Sequence, residues 1–222
     1  MTVLPVTLLV VAKAPVPGRA KTRLAATVGD RVAAEIAAAA LLDTFDAVAA
    51  TPVAARVVAL TGELDAAADA AEIRRRLASF TVIGQRGNDF GERLANAHAD
   101  AAAVAGQPVL QIGMDTPQVT AELLYDSGRR LVESAAVLGL APDGGWWALG
   151  VHSPALADCL RDVPMSQPDT GALTLKALRS NDVDVTLLDE LADFDVADDV
   201  AAVREICQPG SRFAMVSRAA GL

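Results

Sequence analysis

The chain has 222 residues, with 28 Asp and Glu against 19 Lys and Arg, a formal net charge of −9 and two cysteines. Binding a nucleic-acid backbone needs a basic face, so nucleic acid is excluded as a partner, and two cysteines without metal spacing exclude a disulfide framework or a zinc site. No apolar run is long enough to span a bilayer, and MTVLPVTLLVVAK lacks the basic start of a signal peptide, so a cytoplasmic protein with reduced thiols is expected.

VTLLVVA (6–12) is a continuous apolar run, as expected of a strand buried on both faces. Residues 30–50 predict a helix, with Asp30 as N-cap and Val32, Ile36, Phe45 and Val48 near one face. VAARVVAL (53–60) predicts a strand, 64–79 a helix with exposed Arg74, Arg75 and Arg76, FTVIG (80–84) a strand and 89–105 a helix. PVLQIG (108–113) predicts a fourth strand, followed by a helix that starts at Thr120 and is lined by Leu123, Leu124 and Leu131. AAVLGLA (135–141) is a strand, and PDGGWWALGV a turn into another. Asp169 or Thr170 caps a helix to about 180, VDVTLL (183–188) is a late strand, and Asp195 opens a last helix with Val200, Val203 and Ile206 on one side. The last dozen residues show no clear period and are expected to be partly mobile. Strands alternating with helices predict βαβ units, a mainly parallel sheet and one domain over 1–222, with its core at about 6–207 and a tail at 208–222.

Four cations, Lys13, Arg19, Lys21 and Arg23, crowd into KAPVPGRAKTRL (13–24), directly after the first strand. Pro15, Pro17 and Gly18 stiffen that loop and let backbone approach a ligand. A cationic loop in an acidic protein suits a phosphate group, and a solvated charged loop is the alternative. Neither G-x-x-x-x-G-K-[ST] nor G-x-G-x-x-G occurs. Asp115 in IGMDTP follows a buried strand, where it either ligates Mg²⁺ or Mn²⁺ or makes an ordinary turn. Ligands of open parallel sheets bind beyond the strands' carboxyl ends, so the cationic loop and Asp115 should share one rim. In PDGGWW (142–147), Asp143 can accept hydroxyl hydrogen bonds, Gly144 and Gly145 leave room for a ligand, and adjacent Trp146 and Trp147 should face opposite ways. Asp193 and Asp195, two apart, point to one side of an extended segment, and one could join Asp115 at a metal. Asp195 also reads as an N-cap. Arg93, in RGNDFGERL (86–94), can reach a ligand from a capped helix start. His98 and His152 show no partner pattern.

The order KAPVPGRAKTRL, GNDFGERL, IGMDTP, DGGWWALG, DFDVADDV resembles the bacterial DUF2064 family, glycosyltransferase-like proteins similar to 2-phospho-lactate guanylyltransferase. The resemblance spans about residues 7–205. It implies the GT-A fold of nucleotide-diphospho-sugar transferases, a three-layer α/β/α sandwich over a mainly parallel mixed sheet. It also implies that Lys13, Gly18, Lys21 and Arg23 bind the nucleotide, and that Asp115 and Asp195 hold Mg²⁺ or Mn²⁺; Pro17, Arg19 and Arg93 are expected to join the nucleotide site. Asp143, Gly144, Gly145 and Trp146 would line the acceptor or sugar pocket. Lys21, Arg23 and Asp115 would be catalytic. The family pattern has tyrosines where Trp146 and Trp147 stand, and Thr-Pro where Val196 and Ala197 stand. The expected activity is glycosyl transfer from a nucleotide-diphospho-sugar to a small-molecule acceptor. Guanylyltransferase-like nucleotidyl transfer is one alternative. Nucleotide binding without turnover is another, since no general base is identifiable. Assembly as a homodimer is left open.

Overall fold

A computed structural model of the chain describes residues 2–106 and 108–222. The apolar runs form strands β1 (Leu4–Lys13), β2 (Val53–Thr61), β3 (Thr81–Gly84), β4 (Val109–Ile112), β5 (Ala136–Leu140), β6 (Trp146–Val151) and β7 (Val185–Leu188). They make one seven-stranded sheet in the order β3-β2-β1-β4-β6-β5-β7. All pairings are parallel except those of β6, which runs antiparallel between β4 and β5.

The helices are α1 (Thr22–Val28), α2 (Asp30–Ala50), α3 (Ala70–Leu77), α4 (Phe90–Ala105), α5 (Ala121–Val132), α6 (Thr170–Ser180), α7 (Ala197–Ile206) and α8 (Arg212–Ala219). Strand β1 is buried on both faces because its side chains alternate between two cores. Val6, Leu8 and Val10 meet α2, α3 and α5 on one side. Leu9 and Val11 meet α4, α6 and the 3-10 helix Pro154–Asp162 on the other. The sandwich therefore has three layers, as expected. A third cluster, built from Leu24, Ile36, Phe194, Val200, Val203 and Phe213, joins α1, α2, α7 and α8 beside the sheet.

Several local expectations change. The N-cap of α2 is Gly29 rather than Asp30, which is the helix's first residue. The helix expected over 64–79 is a 3-10 turn, Leu64–Ala66, followed by α3, because Asp69 adopts a left-handed conformation (φ +52°) that interrupts it. The expected mobile tail is largely helix α8. Its N-terminal N–H groups at Arg212 and Phe213 donate to the Asp43 carboxylate on α2, at 3.1 and 2.8 Å, and the Arg212 guanidinium pairs with Asp43 and Asp46. Phe213 is fully buried. Ser211 caps the helix locally, accepting from the Ala214 N–H at 3.1 Å, but the acid that anchors it to α2 lies far away in sequence. Thr120 does cap α5, accepting from the Leu123 N–H at 3.1 Å. Cys159 and Cys207 are both free thiols. No helix among the described residues is long and apolar enough to cross a membrane.

Candidate functional site

The chain runs from β1 outward to β2 and β3, then crosses back to β4 on the other side of β1. Connections leave the adjacent ends of β1 and β4 in opposite directions, and open α/β sheets bind ligands in the crevice that results. Val10 is paired with Ile112, so the cationic loop and the Asp115 loop emerge side by side. A cleft of about 990 Å³ opens there, at the upper end of the range for small-molecule sites.

Lys21 is the centre of the site. It caps α1 with φ +50° and ψ +48°, a left-handed conformation that lysine rarely adopts. Its side chain is only 10% exposed, and Nζ lies 2.8 Å from Asp115 Oδ2 and 3.9 Å from Asp195 Oδ1. The same ammonium donates to the Phe194 carbonyl and sits 4.4 Å from the centre of the Phe194 ring. Arg23, on α1, pairs with Asp195 Oδ2 at 2.7 Å while staying 75% exposed. Lys13 and Arg19 line the same cleft, both exposed to solvent.

Two contacts hold the acidic loops in place. The Lys13 N–H lies 3.2 Å from Met114 Sδ, tying β1 to the Asp115 loop. Gln118 Nε2 donates to the Ala192 carbonyl, tying that loop to the segment carrying Asp193 and Asp195. That segment is secured at its far end by Asp199, whose carboxylate accepts from the Asp195 and Val196 N–H groups. The N-cap of α7 is therefore Val196, and Asp195 is free to face the cleft.

Asp143, Gly145 and Trp146 also line the cleft, as does Arg93, whose guanidinium lies 5.8 Å from the Phe90 ring. Trp146 is half-buried against the ligand space. Trp147 faces the other way, buried, with its Nε1–H on the Asp189 carbonyl. Pro17, Gly18 and Gly144 do not line the cleft. Gly18 turns the loop with φ +73°, and Gly144 packs its Cα against the Pro168 carbonyl with φ +89°.

Sequence reasoning missed Gln85, Phe90, Gln111 and the 165–168 segment, all of which line the cleft. Gln111 had a signal, a polar side chain inside the apolar run VLQI. Asp193, considered only as an alternative to Asp195, is also in the lining. Its carboxyl is pushed up to about 6 by burial, then by the negative charge of Asp143, with Lys21 opposing and Asp115 adding to the rise.

Asp193's raised value means that the folded state holds a proton there which the unfolded chain releases near pH 4. The stability it supplies is therefore present below pH 4 and lost as pH rises through about 6. His98 acts oppositely. Burial drives it down to about 4, with Gln111 resisting, so its contribution is lost as pH falls from 6.5 toward 4. In metal-free buffer, Asp193→Asn should raise stability at pH 7 by about 1 kcal/mol, after discounting for partial exposure. Without the Asp193 carboxyl, the variant should lose stability more steeply than the parent on acidification. Thermal melts from pH 4.5 to 7.5 check this, and parallel curves would refute it.

Divalent-ion chemistry can be tested against these groups. Asp115 Oδ1 is buried without a hydrogen-bond partner, an acceptor that a hard cation would satisfy. No group of three or more His, Cys, Asp or Glu side chains suited to a metal occurs among the described residues. Mg²⁺ commonly uses one or two carboxylates and takes its remaining ligands from water and phosphate, so Asp115 with Asp195 fits such an ion.

No curated protein matches the chain. Among solved structures, it is similar to a protein from Desulfovibrio desulfuricans G20, provisionally named a nucleotide-diphospho-sugar transferase. The identity is 23% and the TM-score 0.83, over 99% of this chain and 95% of that one. It is similar to 4-diphosphocytidyl-2C-methyl-D-erythritol synthase from Anaerococcus prevotii DSM 20548, at 12% identity and TM-score 0.58, over 89% and 93% of the two chains. It is also similar to Rv0371c from Mycobacterium tuberculosis H37Rv, a complex with manganese, at 18% identity and TM-score 0.53, over 89% and 97%. At these identities the likeness establishes the fold alone. A family model described as an uncharacterized protein conserved in bacteria matches residues 44–167, more than half of the chain, and the protein belongs to that family, DUF2064.

Proposed function

We propose that the protein is a metal-dependent transferase that takes a nucleotide-activated donor and passes a glycosyl group to a small-molecule acceptor. One observation carries this reading: Lys21 and Asp115, from two different strand ends, meet at 2.8 Å inside a cleft at the switch point of the sheet. The fold shared with a provisionally named nucleotide-diphospho-sugar transferase supports the donor class, and the manganese complex of a similar protein supports the ion.

In this reading, Lys13, Arg19, Lys21 and Arg23 bind the donor's diphosphate. Arg93 and the faces of Phe90 and Trp146 border the rest of the ligand. Asp143 and Asp193 accept hydrogen bonds from acceptor or sugar hydroxyls. When bound at Asp115 and Asp195, Mg²⁺ or Mn²⁺ would neutralise charge on the phosphates. Lys21 is already desolvated and fixed, so it offers its charge to the departing diphosphate with little reorganisation. The bond from sugar carbon to diphosphate oxygen breaks, the acceptor oxygen bonds to that carbon, and the acceptor proton leaves to solvent. The alternative is nucleotidyl transfer, favoured by the likeness to a synthase of a diphosphocytidyl compound. There a phosphorylated acceptor attacks the α-phosphate and pyrophosphate leaves.

A thermal-shift panel of nucleoside triphosphates and nucleotide sugars, with and without Mn²⁺, tests the shared premise. A ligand at a hundred times its Kd should add about 2.7 kcal/mol, or roughly 5–10 °C for a chain of this length. Release of a nucleoside diphosphate from a nucleotide sugar supports glycosyl transfer, and release of pyrophosphate supports nucleotidyl transfer. Binding with neither product leaves a nucleotide-binding protein without turnover. The absence of any shift across the panel contradicts the proposal.

A further inference from the structure

No residue of helix α8 lines the cleft, yet the path from it to Lys21 is two rings long. The Phe213 ring lies 4.9 Å from that of Phe194, centre to centre, with the planes tilted by 46°. Both rings are fully buried. Phe194 sits between Asp193 and Asp195, and it holds Lys21 twice, through its ring face and through its carbonyl. Residue 21 needs that support. A left-handed lysine persists only where its surroundings over-determine it, and here the restraints are Phe194 on one side and Asp115 on the other. Helix α8 is itself anchored, through Arg212 to Asp43 and Asp46 on α2. These rings belong to the cluster beside the sheet, separate from the two cores that flank it.

We propose that Phe213 is a positioning residue. By fixing the Phe194 ring, it holds the Lys21 ammonium against Asp115, which makes the C-terminal helix part of the site although it touches no ligand. What Lys21 would bind rests on the reading above, while the positioning is a property of the free chain and is tested without any nucleotide.

The chain has three lysines, Lys13, Lys21 and Lys176. Acylation by a succinimidyl ester, followed peptide by peptide in a mass spectrometer, therefore reports Lys21 against two exposed internal references. In the parent, Lys21 should react slowest. Phe213→Ala should speed Lys21 about three- to tenfold, the scale of a lost cation–π contact, with Lys13 and Lys176 unchanged. Leu131→Ala, a comparable cavity in the core on the α5 side of the sheet, should leave the Lys21 rate at the parent value. The idea fails if Phe213→Ala matches the parent, or if Leu131→Ala frees Lys21 equally. Should Phe213→Ala not fold, Phe213→Leu takes its place. It keeps the apolar volume and loses the ring, so it should accelerate Lys21 about twofold, and a parent-like rate overturns the proposal. A silent nucleotide panel with a responsive Lys21 would remove the proposed function and leave this inference standing.

Discussion

Asp115→Asn should lower metal-dependent turnover by on the order of 10³-fold while leaving the protein folded. Asparagine keeps the shape of the side chain, so the strand end and its turn are not disturbed. It removes the negative charge and leaves one acceptor oxygen where there were two, Oδ2 on Lys21 and the buried Oδ1 that has no protein partner. The expected cost to stability is the Lys21 ion pair, about 1–2 kcal/mol, because Asp195 and the Phe194 carbonyl still face the ammonium. The cost to a transition state gaining charge on phosphate is larger, because this group acts in a partly dehydrated cleft. Arg23→Ala makes a useful contrast. Arg23 is 75% exposed, so its effect should be smaller and should shrink with added salt. Steady-state kinetics at saturating Mn²⁺, with melts of each variant, separate the two effects. Unchanged turnover in Asp115→Asn would remove that carboxylate from the chemistry.

Gly144→Ala should destabilise the fold by about 3–5 kcal/mol, a drop on the order of 10 °C in Tm. Two penalties combine. The residue has φ +89°, outside what alanine adopts without strain, and the added Cβ would collide with the Pro168 carbonyl. Backbone on both sides is committed, since the Gly144 N–H donates to Ala141 at 3.0 Å and its carbonyl accepts from Gly171 at 2.8 Å. Gly145→Ala is the control. The nearest atom to its Cβ would be Asp143 Oδ1, at 3.1 Å, a side-chain oxygen that can shift at the cost of its 2.8 Å bond from the Gly145 N–H, so the loss should stay near 1 kcal/mol. Urea melts of the two variants settle the order, and equal losses would mean that the turn yields more easily than this geometry implies.

The legible features were those fixed by local pattern. VTLLVVA is a two-sided strand because its alternate residues feed two different cores. The cationic loop and Asp115 reach one rim because strands β1 and β4 are parallel neighbours. What stayed hidden depended on distant partners. Helix α8 is anchored by acids on α2, and α1 starts at a left-handed lysine inside a segment that reads as loop. Nothing in WWALGV states that it inserts antiparallel between β4 and β5. At the site, charge and glycine content drew attention to Pro17, Gly18 and Gly144, which lie outside the cleft lining. Gln85 escaped because its role is set by tertiary contacts, its amide donating to the Ala12 and Ala59 carbonyls at the cleft edge.

Lys21 and Asp115, already in contact, are expected to converge on the phosphates of a nucleotide, with Asp115 also holding a divalent ion. Crystals grown with Mn²⁺ and a nucleotide that shifts the melt would show this directly in an anomalous difference map. The prediction is manganese in contact with the Asp115 carboxylate, with the nucleotide's phosphates reaching both it and Lys21. Manganese bound away from Asp115, or phosphates lying outside the cleft between β1 and β4, would contradict it.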